Sequence, residues 1–197
     1  MSSLMDVLMQ QLSSGDTLSS LSQQIGADEG QTSQALSMAV PLLLSALARN
    51  ASDPTGAKSL HKALKRDHDG SILDDMAGLL GNAQAANGAG ILRHVLGEQR
   101  PTVESRLAEQ TGLGADGVGQ LLELVAPVVM GALGRTQRQK KLGPKTLATL
   151  LRGERKAVQE SSPDVMGLLG TLLDANQDGN IVDDLANLAG TLLGGRR

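Results

Sequence analysis

Asp174, Asn176 and Asp178 stand at alternate positions, with Gly179 and Asn180 directly behind them. Oxygen ligands at positions 1, 3 and 5, a glycine at 6 and a backbone carbonyl at 7 are what an EF-hand loop offers calcium, before a bidentate acid at 12 closes the shell. The candidate metal site is therefore Asp174, Asn176, Asp178 and the carbonyl of Asn180. Position 12, however, is Leu185, which has no ligand atom. Asp183 and Asp184 come two and one places early, and on a helix each step turns the side chain by about 100°. A related stretch keeps Asp67, Asp69 and Gly70 but places Lys65 at the first position, where an ammonium repels a cation. Helix capping accounts for both stretches. Ser71 and Asn180 are good N-cap residues, Asp74 and Asp183 follow three places on as in a capping box, and acids in a first turn meet the helix dipole. The expectation is capping and no cofactor, with a weak calcium module at 174–184 as an alternative.

Other groups that could do chemistry are sparse. The histidines are His61, His68 and His94, and none has a partner at metal-binding spacing. No cysteine is present, no G-x-S-x-G elbow and no phosphate-binding glycine loop. No catalytic residue is assigned, no small-molecule substrate is identified, and the chain is expected not to be an enzyme. One basic run stands out: Arg135, Arg138, Lys140, Lys141, Lys145, Arg152, Arg155 and Lys156, with Glu154 as the acid among them. Such a run can hold phosphates without reading sequence, which makes nucleic acid a candidate partner. A solvated insertion that keeps the chain soluble is the plainer expectation.

The elements that position these residues come in duplicate. "GADEGQTSQALSMAVPLLLSALAR" (26–49) aligns without a gap with "GLGADGVGQLLELVAPVVMGALGR" (112–135), Pro41 falling on Pro127 and Arg49 on Arg135. "DHDGSILDDMAGLLG" (67–81) matches "NQDGNIVDDLANLAG" (176–190), and "LMDVL" (4–8) more weakly matches "LRHVL" (92–96). Repeats in one order predict two copies of a helical unit: residues 1–87, and residues 88–197 with a basic insertion near 136–160. Each opens with an amphipathic helix, led by Leu4, Val7, Leu8 and Leu12 or by Ile91, Leu92, Val95 and Leu96. A second helix, 17–25 or 102–111, ends at Gly26 or Gly112. The longest follow at about 30–49 and 115–135, where Pro41 and Pro127 predict a kink or break. Residues 42–47 and 128–133 are apolar nearly all round, which marks a central helix or one covered by another chain.

Composition agrees. The 197 residues include no Phe, Tyr or Trp. A core of Leu, Val, Ile, Met and Ala suits close-packed helices better than sheets, and no alternating strand pattern occurs. The fold class expected is all-α: a multihelical bundle built from two pseudo-repeated units. The blocks 91–135 and 166–190, above all "VAPVVMGALG" (125–134), resemble the bacterial YidB-like family, a domain of unknown function, in two tandem copies. That resemblance implies a multihelical fold and no activity. No apolar run reaches the roughly 20 residues of a membrane span, and nothing at the N-terminus reads as a secretory signal. The expectation is a cytoplasmic, non-enzymatic protein that works through protein–protein contact, including self-association.

Overall fold

The structure, a computed structural model, describes residues 3–82 and 86–161. Among the described residues there is no strand. The helices are α1 (Leu4–Leu12), α2 (Gly15–Ile25), α3 (Glu29–Asn50), α4 (Pro54–Asp67), α5 (Met76–Gly81), α6 (Gly88–Val95), α7 (Arg100–Thr111), α8 (Ala115–Gln139) and α9 (Pro144–Ser161). Single 3-10 turns sit at Ser71–Leu73 and Gly97–Gln99.

Local chemistry sets many of the ends. Asp28 caps α3 by accepting from Gln31 N at 2.8 Å. Asp53 caps α4 through the amides of Thr55 and Gly56, with Pro54 at the first helical position, where its fixed φ fits and no amide is lost. Gly26 and Gly112 end α2 and α7 at φ 67° and 71°, the left-handed region that a side chain resists. Ser3 and Asp6 form a reciprocal capping box at α1. Val7, expected on the inner face of α1, is instead 45% exposed; the buried stripe is Leu4, Leu8 and Leu12, spaced four apart.

α3 and α8 lie against each other at the centre. Pro41 and Pro127 sit inside helices that continue past them, so neither breaks its helix. Residues 42–47 and 128–133 are buried throughout by helices of the same chain. α1 and α2 pack against both central helices, and so do α6 and α7. The fourth helices cross over: α4 packs on α8, α9 packs on α3, and α4 and α9 touch. Leucines from α1 to α9 join one buried cluster, so the boundary at 87/88 does not separate two cores among the described residues. α8 is long and apolar enough to cross a membrane by length and composition, yet 89% of its apolar window is buried inside the protein.

Candidate functional site

The basic run is not a solvated insertion. Its helix, α9, turns Leu147, Leu151 and Val158 inward, each at most 3% exposed, against α3 and α4. Glu154 reaches across to the start of α1, accepting from the amides of Leu4 at 3.1 Å and Met5 at 3.4 Å. Two of the unpaired amides that begin any helix are thereby satisfied by an anion.

The predicted phosphate-binding cations divide into two groups. Arg135 is tied down: its Nη2 donates to the carbonyl of Gly70 and to Asp74 Oδ2, both at 2.6 Å. Arg138 Nη2 reaches the carbonyl of Lys65 at 3.3 Å. Arg155 is half-buried near Arg49, whose guanidinium is held below its ordinary pKa by burial and then by that like charge. Lys140, Lys141, Lys145, Arg152 and Lys156 remain exposed. Lys156 makes only a long ion pair, 3.8 Å, with the equally exposed Glu160.

α4 adds cations that the sequence reading had not singled out. Lys58, Lys62, Lys65 and Arg66 are all exposed on α4, which lies beside α9. His61 Nε2 lies 3.1 Å from the carbonyl of Leu142 and Arg138 reaches Lys65, so the end of α4 is stitched to the turn between α8 and α9. The Lys65 backbone thereby stands beside the turn that carries Lys140 and Lys141. Asp67 on this side is paired with Arg66 at 2.7 Å. The three- and four-residue spacing of Lys58, Lys62 and Lys65, one helix face, was the available signal. In a chain with formal net charge −3, exposed cations from two distant segments thus stand on helices that pack together.

A groove of about 510 Å³ opens where α3, α4, α6 and α8 meet. Leu47, Leu60, Ile91, Val95 and Met130 form its apolar floor; His68 and His94 stand at its edge. Burial pushes the His68 imidazole below its ordinary pKa, against the pull of Asp67. His94 Nδ1 faces the Gly90 carbonyl at 2.8 Å, so that nitrogen carries the hydrogen and Nε2 is left as acceptor in the neutral ring. Nothing in the groove pairs a nucleophile with a base.

The capping expectation needs correcting in the first stretch. Ser71 begins a 3-10 turn and makes no cap bond; its amide and hydroxyl both donate to Asp69 Oδ1. Asp74 does not cap either, because it is drawn to Arg135. The cap of α5 is Asp75, whose Oδ1 accepts from Gly78 N at 2.8 Å. Asp174, Asn176, Asp178, Asn180 and Asp183 lie outside the described residues. Among the described residues no cluster of three or more His, Asp or Glu side chains is placed to hold a metal.

No curated protein and no solved structure matches the chain. A family model does match, over residues 6–136, a span that runs from α1 almost to the end of α8 and leaves α9 outside. The chain belongs to that family, described as a bacterial protein of unknown function (DUF937).

Proposed function

We propose that the protein is a non-enzymatic binding module whose basic side, α4 with residues 138–156, engages the phosphate backbone of nucleic acid. The observation that supports this is the packing of α4 beside α9, with Lys58, Lys62 and Lys65 exposed on the first, Lys145 and Arg152 on the second, and the turn that carries Lys140 and Lys141 stitched to the end of α4. Phosphate contact by lysine and arginine needs no aromatic ring and reads no sequence, which suits a chain without aromatic residues. A cysteine-free chain also fits the reducing cytoplasm, where we place it. The test is titration of a labelled duplex at several salt concentrations. Binding should weaken linearly in log–log form, with a slope of roughly 0.9 per phosphate neutralised. Replacing Lys62, Lys65, Lys140 and Lys141 with Gln should flatten that slope. Failure to bind even at low salt removes the proposal.

A second reading is contact with another protein, including self-association, through the apolar-floored groove. The groove favours it because its floor, Leu47, Leu60, Ile91, Val95 and Met130, is apolar and opens between four helices. The all-round apolar helices and the glycines Gly131 and Gly134 no longer argue for it, since neighbours within the chain cover them. Light scattering on a size-exclusion column decides self-association; a strict monomer at high concentration rules it out.

We further infer that the chain comprises two tandem copies of one unit. The matched packing of α1, α2 and α3 with α6, α7 and α8, and the left-handed glycines at 26 and 112, support it. Replacing residues 67–81 by the sequence of 176–190 should then keep cooperative unfolding, and a scrambled insert should not. Equal loss with both inserts would sink the tandem reading.

A further inference from the structure

The exposed cations of α4 and α9 fall into two rows. Lys58, Lys62 and Lys65 lie within about 60° of one another around α4, at about 100° per residue. Lys145, Arg152 and Lys156, spaced seven and four apart, lie within about 40° around α9. All six are exposed. At about 1.5 Å per residue the rows run about 10 Å and about 16 Å along their helices.

Neither row is turned to the core or to the groove. On α9 the buried residues are Leu147, Leu151 and Val158, on the opposite face. Glu154, which lies between the cations in sequence, turns to the amides of Leu4 and Met5. On α4 the groove is lined by Ser59, Leu60, Ala63 and Arg66 and by none of the three lysines. His61, on the other flank of α4, meets Leu142 in the turn that leads into α9. The lysine row of α4 therefore runs on the flank toward that turn, away from the groove.

The side chains decide which polyanion suits these rows. The 197 residues include no Phe, Tyr or Trp, so the bases of a single strand find no ring to stack on. A guanidinium can stack on a base or fork onto its edge. Yet Arg66 is closed on Asp67, Arg135 on Gly70 and Asp74, and Arg138 on Lys65. Apart from Arg152 the rows are lysine, a point charge that holds phosphate without a planar fork.

A double helix meets these terms better than a single strand. It offers two phosphate rows where a strand offers one, and twice the charge per unit length. Packed helices stand about 8–10 Å apart, between the roughly 6 Å and 12 Å widths of the two DNA grooves. We infer that the partner of α4 and α9 is duplex nucleic acid, bound across one groove with a phosphate row against each cation row and without reading sequence. This rests on the nucleic-acid reading above and names the form of its ligand.

The full chain is titrated by fluorescence anisotropy with a short labelled DNA duplex and with each of its strands, at several salt concentrations. With six phosphates neutralised, the log–log slope is about 5.4 for the duplex and about 4.2 for a strand, so ligands that bind alike at about 1 M salt differ about fifteenfold at about 0.1 M, in favour of the duplex. A·T-rich and G·C-rich duplexes should bind alike. Two triple variants separate the rows: Lys58→Gln with Lys62→Gln and Lys65→Gln, and Lys145→Gln with Arg152→Gln and Lys156→Gln. Each should lower the duplex slope by about 2.7 with the melting temperature unchanged. A strand bound as tightly as the duplex, a preference between the two duplexes, or a slope that only one row moves overturns the inference and leaves the nucleic-acid reading standing. No binding of either form at low salt overturns both.

Discussion

Among the described glycines, Gly134 leaves the least room for a side chain and gives a sharp prediction. A Cβ there would overlap the carbonyl oxygen of His68, lie 2.9 Å from its carbonyl carbon and come within 3.6 Å of the Leu64 carbonyl oxygen. These are backbone atoms at the end of α4, and no rotamer change can relieve them. In an open helix, Gly→Ala gains up to about 1 kcal/mol. At Gly134 the end of α4 must retreat from α8, and overpacking of this kind costs about 1–3 kcal/mol. Retreat also strains the hydrogen bond from Arg138 to the Lys65 carbonyl. The net expectation for Gly134→Ala is a loss of about 2 kcal/mol. With a urea slope of about 2 kcal/mol/M, the unfolding midpoint falls by roughly 1 M. Gly153, exposed in α9 with nothing within 4 Å of its Cβ position, is the internal control. Gly153→Ala should raise stability by about 0.5–1 kcal/mol. Should Gly134→Ala stabilise as Gly153→Ala does, the packing of α4 on α8 described above is wrong.

Three further outcomes are expected. Glu154→Gln keeps the shape of the side chain but takes the negative charge from the first amides of α1, so urea unfolding should show a loss of about 0.5–1 kcal/mol. His68 is held below its unfolded value of about 6.5 by burial, so protons bind the unfolded chain more readily; its contribution is intact above pH 6.5 and falls as pH drops below it. His68→Gln should flatten the stability curve between pH 7 and pH 5, and an unchanged slope would refute the burial effect. Thermal melts in millimolar calcium and in chelator should superimpose, because Leu185 leaves position 12 of the loop without a ligand; a calcium-dependent rise would revive the metal site at Asp174, Asn176 and Asp178.

Much of the helical framework was legible because its signals are local. The helices expected at 30–49 and 115–135 run Glu29–Asn50 and Ala115–Gln139, and the glycine stops at 26 and 112 fall where expected. Of the kink or break expected at each proline, the break does not occur, because a buried helix wrapped by neighbours can absorb one missing hydrogen bond and continue. Capping at Ser71 misled for a different reason. A 3-10 turn occupies 71–73, so the α-helix starts later and the cap passes to Asp75, while Asp74 answers to Arg135, 61 residues away. No local pattern carries that ion pair. The apolar stripe of α9, Leu147, Leu151 and Val158, was present but overlaid by charge. A long basic side chain can cover an apolar face with its stem, so counting charges hid a core helix.

The two faces of α9 make the nucleic-acid proposal separable from the fold. Its inner residues join the core cluster, whereas Lys145, Arg152 and Lys156 are exposed on the other side. Lys62, Lys65, Lys140 and Lys141 are likewise exposed, and exposed substitutions away from special features usually move stability by at most about 0.5 kcal/mol. Arg135 and Arg138 differ, since each fastens α8 to the α4 side of the molecule through a carbonyl. Replacing the whole basic run at once would therefore confound lost phosphate contacts with lost tertiary contacts. Replacing the exposed lysines alone removes charge and leaves these stitches in place. Lost binding with an unchanged melting temperature then has one physical cause, the field of the basic side. Binding that survives would move the working surface elsewhere, with the groove between α4 and α6 next in line.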